Sequence, residues 1–164
     1  MSSFGTGESI RRAVEIHSRM LLRVAMTRLS NPQDAEDAVQ ETFVQLLSAK
    51  PKFRDEEHEK AWLIRTTLYR AGDLRRAIQR RSGVPLDETA SEAPAPSGDE
   101  DADRIRCAVQ MLPEKYSAVI HLYYYEGYSI KEIAKLLALP APTVGTRLAR
   151  GREKLRELLK EEIE

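Results

Sequence analysis

Residues 128–159 read YSIKEIAKLLALPAPTVGTRLARGREKLRELL, and the punctuation of this stretch decides the fold. Ser129 and Glu132 have the S-x-x-E spacing of a capping box, in which each side chain bonds the other residue's backbone N–H at a helix start. Ile130, Ile133, Ala134 and Leu137 follow at the spacing of one buried helical face. The run ALPAP breaks that helix, and a second is expected from near Thr143. On it Val144, Leu148, Gly151, Leu155 and Leu158 turn inward, which leaves Thr143, Thr146 and Arg150 outside with Arg147 on the flank. Two short helices about a proline-marked turn form a helix-turn-helix. An exposed helix start carrying hydroxyls and arginines suits a major groove. Arginine bonds a guanine edge bidentately, while threonines and backbone N–H groups hold phosphates. The plainer alternative is a solvated amphipathic hairpin with ordinary surface arginines.

The same helical period extends upstream. Ile105, Ala108, Val109 and Leu112 begin a helical block near Arg104, and a helix from Pro113 is expected to bury Tyr116, Val119, Ile120 and Tyr123 and to end at Gly127. In the first half, Ile10, Val14, His17, Leu21, Val24 and Leu29 lie roughly on one stripe of a helix over 8–29. Asn31 and Pro32 mark a second start, one as cap and the other at the first helical position. A third pattern runs from near Glu57 to about Arg81 through Ala61, Ile64, Leu68 and Ala71, with Gly72 as a place for a bend. No strand-length alternation or hairpin dipeptide occurs. The expected fold class is all-α.

Charge divides the 164-residue chain more sharply than composition does. Lysine plus arginine equals aspartate plus glutamate, 26 of each, but the balance is local. Residues 1–86 and 104–164 are each mildly basic, and 87–103 hold seven acids and no base. The stretch SGVPLDETASEAPAPSGDEDAD, 82–103, cannot bury enough apolar surface to offset its ordering entropy, so it is read as a flexible acidic linker. That gives two small helical domains, 1–81 and 104–164. Segregated charge of this kind favours a polyelectrolyte partner.

Two charged faces in the first domain need an explanation. In DAEDAVQETF, 34–43, Ala35, Ala38, Val39, Thr42 and Phe43 form a buried stripe, and Asp34, Asp37 and Glu41 with Gln40 form the opposite face. From Asn31 to Ala49 there is no lysine or arginine to relieve those carboxylates. The third helix carries Arg65, Arg70, Arg75, Arg76, Arg80 and Arg81, with Trp62 and Tyr69 near one face. Aromatics among arginines could stack unpaired bases while the cations hold phosphates. Trp62 also fits a core position, and Tyr69 fits either role.

Several classes are disfavoured. One cysteine, Cys107, permits no internal disulfide or cysteine-rich zinc site, and His17, His58 and His121 lack ligand spacing, so no metal or cofactor is expected. Glu56, Glu57, His58 and Glu59 adjoin one another at a loop or helix start, more in the manner of a solvated surface than a catalytic centre. No apolar run could span a bilayer, and the N-terminus lacks a signal peptide's apolar core, so a soluble cytoplasmic chain is expected.

Taken together, these residues resemble the extracytoplasmic-function (ECF) group of bacterial RNA polymerase sigma factors, within the sigma-70 family. NPQDAEDAVQETF (31–43) and AWLIR (61–65) are similar to that family's region 2, and the stretch from LPEKY to REKLR (112–156) is similar to region 4. The likeness covers about 10–81 and 104–159. It implies a transcription initiation factor, acting by binding without covalent chemistry, that directs core polymerase to promoters. By the resemblance, Asp34, Asp37, Gln40 and Glu41 dock on the clamp helices of the polymerase β′ subunit. An uncompensated acidic face awaiting a basic partner agrees with that. The −10 element would fall to Trp62, Arg65, Tyr69, Arg70, Asp73, Arg76 and Arg80, and the −35 element to Thr143, Thr146, Arg147 and Arg150, with the second domain near the β flap.

Two positions depart from the family pattern: Tyr69 stands where Asn is frequent, and Gly145 where a basic residue commonly follows the TV pair. The resemblance further implies an anti-sigma partner, and a linker that either imitates nascent RNA or serves as a plain spacer. The rival readings are a stand-alone helix-turn-helix regulator, a nucleic-acid enzyme, and a sigma-like inhibitor that binds polymerase without reading promoters.

Overall fold

Four helix starts in this chain fall where a side chain supplies an acceptor for the unpaired N–H groups of a first turn. The computed structural model describes residues 7–82 and 98–163, and among these it contains seven helices and no strand. They are α1 (Gly7–Ala25), α2 (Pro32–Ala49), α3 (Glu56–Ser82), α4 (Glu100–Met111), α5 (Glu114–Tyr124), α6 (Ile130–Leu137) and α7 (Ala141–Ile163). The all-α expectation holds. Asn31 caps α2 by accepting from the Gln33 N–H at 2.8 Å, with Pro32 in the first turn. The Asp55 carboxylate accepts from the His58 N–H at 2.8 Å at the start of α3. At α6 the capping box is complete: Glu132 N–H donates to Ser129 Oγ at 3.1 Å, and Ser129 N–H to Glu132 Oε1 at 2.9 Å.

Packing follows the apolar stripes, with three changes of phase. On α1 the buried positions are Ala13, Met20, Leu21, Val24 and Ala25, while Val14 is 37% exposed. The expected helix over 8–29 stops at Ala25, where the Thr27 hydroxyl donates to the Val24 carbonyl at 2.7 Å and closes the last turn. Leu29 is buried beyond the helix. On α5 the core takes Tyr116 through Leu122, and Tyr123 lies at the surface. The third change concerns the stretch read as a linker, 82–103. Residues 83–97 lie outside the described residues, but α4 begins inside that stretch, at Glu100. Asp99 accepts from the N–H groups of Asp101 and Ala102, and Glu100, Asp101 and Asp103 occupy the first turn, where negative charge is favourable.

Helices α1–α3 pack on one another, and buried hydroxyls of Thr42 and Thr67 bond at 2.9 Å across α2 and α3. Helices α4–α7 form the second group around Val119, Ile120, Ile133, Val144 and Leu148. Here one glycine is set by its neighbour. A Cβ at Gly151 would come 3.0 Å from Ile120 Cγ1, so the absence of a side chain lets α7 lie directly on α5. Gly72 admits a side chain instead: a Cβ there would come 3.1 Å from Arg28 Nη1.

The two groups of helices also meet. The carbonyls of Met26 and Thr27, just past α1, accept from Gln110 Nε2 at 2.7 Å and Ser117 Oγ at 3.1 Å. The second group of helices thereby satisfies acceptors that the end of α1 leaves unpaired.

Candidate nucleic-acid interface

The acidic face of α2 lies as its spacing predicts. Ala35, Ala38, Val39 and Thr42 are buried and Phe43 packs against the core. Asp37, Gln40 and Glu41 are exposed, and Asp34 is half-buried. No described residue forms an ion pair of 4 Å or less with any of these acids among the pairs found in the structure. Continuing along the same face are Val44 and Leu47, 54% and 55% exposed. The acidic strip therefore ends in an apolar one, a surface able to hold basic side chains and bury their stems.

The basic side of α3 divides in two. Trp62 is half-buried, edge-on to the buried Phe53 ring at 6.0 Å between centroids, which fits the core role. Tyr69 is 62% exposed with the Arg70 guanidinium 5.6 Å from its ring centroid, and Arg70 also donates to Gln45 Oε1 at 3.1 Å. Asp73 and Arg80 are exposed. Arg65 and Arg76 instead face the second group of helices: Arg65 Nε donates to the Leu136 carbonyl at 2.9 Å, and Arg76 Nη1 lies 3.7 Å from Glu114 Oε2. The same Glu114 carboxylate lies 3.6 Å from the buried Arg75.

On α7 the outer face is open. Thr146 and Arg150 are exposed, Thr143 and Arg147 half-buried, and with Lys115 and Pro142 they line a shallow groove. The Thr146 hydroxyl donates to the Pro142 carbonyl at 3.0 Å, so it offers lone pairs outward. A Cβ at Gly145 would meet nothing within 4 Å, so packing does not impose that glycine. All four expected −35 residues thus gather along one groove, whereas the −10 set is spread over exposed, core and inter-group positions.

Comparison with known proteins bears on these surfaces together. Residues 13–81 match the family Sigma-70 region 2, and residues 102–155 match Sigma-70, region 4. The RNA polymerase sigma factor SigV of Bacillus subtilis is 31% identical over 149 residues, covering 90% of this chain and 89% of that protein. The chain belongs to the sigma-70 family, in its ECF group. The ECF RNA polymerase sigma factor SigM of Mycobacterium tuberculosis is 29% identical over 143 residues, 87% of this chain and 73% of that protein. Among solved structures, the sigma factor RpoE bound to the anti-sigma factor NepR from Bartonella quintana superposes with a TM-score of 0.75 at 25% identity, covering 93% of this chain and 98% of that one. CnrH in complex with the cytosolic domain of CnrY gives a TM-score of 0.63 at 26% identity, over 96% and 91% of the two chains. The protein is thus a transcription initiation factor, of the kind that directs RNA polymerase to promoters.

In this sigma factor the histidine–glutamate run at the start of α3 is taken up structurally. His58 Nδ1 accepts from the Arg54 N–H at 3.1 Å, and Glu59 is buried 3.7 Å from His17. Burial, with Lys60 nearby, pushes the His17 pKa down, and burial, with Glu56 nearby, pushes that of Glu59 up. Among the described residues no three His, Cys, Asp or Glu side chains converge as a metal site, and no helix is long and apolar enough to cross a membrane.

Three further residues of the sigma factor, two exposed and one buried, do not stand out in the sequence motifs. Val44 and Leu47 were detectable, because they follow Gln40 and Glu41 at helical spacing on a face already marked as exposed. Glu126 was not, since its partners are remote. It joins Arg23 of α1 through two contacts, at 3.1 and 3.2 Å, and His121 Nε2 at 2.8 Å. Burial opposes its ionisation, but the hydrogen bonds with His121 and Arg23 outweigh it and hold the carboxyl down to about 2.

Proposed function

We propose that this sigma factor docks on core RNA polymerase through α2 and reads promoters with α3 and α7. Asp34, Asp37, Gln40 and Glu41 meet the clamp helices of β′, with Val44 and Leu47 packing beside them. The observation that carries the reading is this strip, acidic and then apolar, whose acids form no ion pair within 4 Å among the described residues. A basic partner helix relieves its mutual repulsion on binding. Residues 1–81 serve docking and the −10 element, through Trp62, Arg65, Tyr69, Arg70, Asp73, Arg76 and Arg80. Residues 104–164 serve the −35 element, through Thr143, Thr146, Arg147 and Arg150, with the β flap beside them. Residues 82–103 connect the two parts, although the α4 helix already starts within them.

Two weak DNA contacts joined by one chain act together through effective concentration once polymerase fixes their separation. Binding, without a covalent step, is the whole of the proposed activity, and the cytoplasm is its proposed place. Two relatives of known structure are held by partners named as an anti-sigma factor and as the cytosolic domain of CnrY, which supports an inhibitory partner for this chain as well.

The test is run-off transcription with core polymerase from the same organism on a pooled genomic promoter library. Discrete new starts that share spaced −35 and −10 motifs are expected. Comigration with core without new starts would move the weight to a polymerase-binding inhibitor, the reading that Tyr69 and Gly145 keep open. Absence of both core binding and new starts would sink the proposed mechanism.

A further inference from the structure

The acidic and apolar strip of α2 has a counterpart on another face of the same chain. A groove lies between α5 and α7, with the buried Ile120 in its floor. Tyr124 and Tyr125, 52% and 51% exposed, line it together with the half-buried Leu155 and Leu159. The rings are held in place before anything binds. Tyr125 stacks on His121 with 5.2 Å between centroids, and Tyr124 meets Tyr123 edge-on at 4.9 Å. Large apolar side chains gathered in the open at one place mark an interaction surface.

The charge of this groove is of one sign. Arg152 and Arg156 line it, and among the described residues no acid does. Glu153 and Glu157 lie on the same helix but outside the groove. The Arg152 guanidinium sits 6.0 Å from the Tyr124 ring centroid, and its Nε donates to the Leu148 carbonyl at 3.3 Å. Among the described residues neither arginine forms an ion pair of 4 Å or less.

The strip of α2 matches this pattern in sign and in spacing. Asp37 and Glu41 are four residues apart, as are Arg152 and Arg156, so each pair rises about 6 Å along its helix. Val44 follows Glu41 by three residues, and Leu159 follows Arg156 by three. Laid side by side in parallel, the two helices bring Asp37 to Arg152, Glu41 to Arg156 and Val44 to Leu159. A carboxylate suits the guanidinium fork, and arginines among aromatic rings are what the core of an interface favours. In its own chain α2 is packed on α1 and α3, and none of its acids meets Arg152 or Arg156. The strip that fits the groove therefore belongs to a second copy.

We propose that the Asp37–Leu47 strip of one copy docks in the α5–α7 groove of a second copy. The two surfaces differ, so the contact is heterologous and engages a different face of each partner. A surface this small supports a weak association that grows with concentration. Because the strip is also the one proposed to meet polymerase, self-association withholds α2 from core as the factor accumulates. That consequence rests on the proposed docking role of α2, whereas the contact itself does not.

The experiment is sedimentation velocity of the full chain without polymerase, over a series of about 1–200 μM that brackets micromolar contacts. The parent's sedimentation coefficient is expected to rise along the series toward that of two or more copies. D37K with E41K, and R152E with R156E, are each expected to sediment as single copies throughout. Mixed in equal amounts, these two chains are expected to associate again, because the lysines of one strip then meet the glutamates of the other's groove. R11E with R19E makes the same change of charge at two exposed positions of α1 and is expected to match the parent. V44S with L47S leaves every charge in place and is expected to weaken association about tenfold through lost apolar burial. A parent that stays single at every concentration would overturn the proposal and leave the groove to another occupant. So would association that persists in either charge-reversed chain alone, an equal loss in R11E with R19E, or no loss in V44S with L47S. A mixture that stays single while both chains melt as the parent does would overturn it as well. Failure of the polymerase reading shows itself separately, as absence of new starts in the run-off assay with the parent chain.

Discussion

Helices α3 and α7 both carry arginine-rich faces, and the chain treats them differently. On α3, Arg65, Arg75 and Arg76 are engaged by α5 and α6, and Arg70 by Gln45 of α2. On α7, Arg150 and Thr146 look into solvent. In the proposed division of labour, duplex DNA presents its groove without prior work, so a reader of the duplex can stay open. A helix that receives a melted strand is useful only after opening has begun. The difference teaches that equal basic composition does not mean equal readiness to bind.

The largest expected effect removes the ground on which both helices act. D37K combined with E41K places two lysines in the exposed acidic strip of α2. Core binding is expected to fall by about a thousandfold, given several kcal/mol of coupling for close charge pairs. The melting temperature should stay near the parent's, because both positions are exposed. Co-sedimentation with core and a thermal scan measure the two quantities, and retained core affinity would remove the docking role from this helix.

A smaller effect separates the two arginine faces. R150A is expected to weaken initiation from −35-dependent promoters by about ten- to a hundredfold and to relax base preference there, as loss of one bidentate contact does. R76A is expected to spread its loss over all promoters while raising the radius of gyration, because it removes a Glu114 partner. Equal patterns for R150A and R76A across a promoter library would collapse the distinction between the helices.

Next comes the seam itself. E126Q removes a charge shared by Arg23 and His121, and a loss of about 1–3 kcal/mol in stability is expected. The sign with pH is definite. The Glu126 pKa in the folded chain, about 2, lies below its ordinary value of 4.5, so its contribution is complete above the ordinary value and is lost as pH falls toward the folded one. Melting curves of parent and E126Q should therefore differ at about pH 6 and converge on acidification through that window. A gap that persists below it would mean that the charge is not what holds the seam.

The smallest effect is expected at Gly145, and it is a gain. A Cβ there meets nothing within 4 Å, and glycine inside a helix costs about 0.5–1 kcal/mol relative to alanine. G145A should raise the melting temperature by about 2–4 °C with the −35 preference unchanged. A loss of stability instead would show that the start of α7 uses the freedom of that glycine.

The local signals in the sequence proved readable because they are satisfied within a few residues. Asn31 with Gln33, and Ser129 with Glu132, are bonds between near neighbours, and the stripes of α2 and α6 report a single helix's own geometry. The phase errors at Val14 and Tyr123 arose where several apolar residues compete for one face and only the packed neighbours decide among them. Asp99 was hidden inside an acidic run whose composition argued for disorder, although an aspartate followed by acids is also what a helix start favours. The site was least readable where it is made of remote pairs. Glu114 looks like an ordinary first-turn acid, and nothing near it in sequence points to Arg75 or Arg76.

The contact between Gly151 and Ile120 has a mechanical consequence. It pins α7 near its middle, with Thr143 eight residues, about 12 Å, toward one end. The point of contact works as a fulcrum and the outward half of α7 as a lever arm. A side chain at position 151 that tilted the helix by a few degrees would move the Thr143 end by a sizeable fraction of an ångström. The hydrogen-bonding groups proposed to face DNA would shift together without any of them being altered. The aim of this helix is thus set by a residue on its opposite side that has no side chain at all.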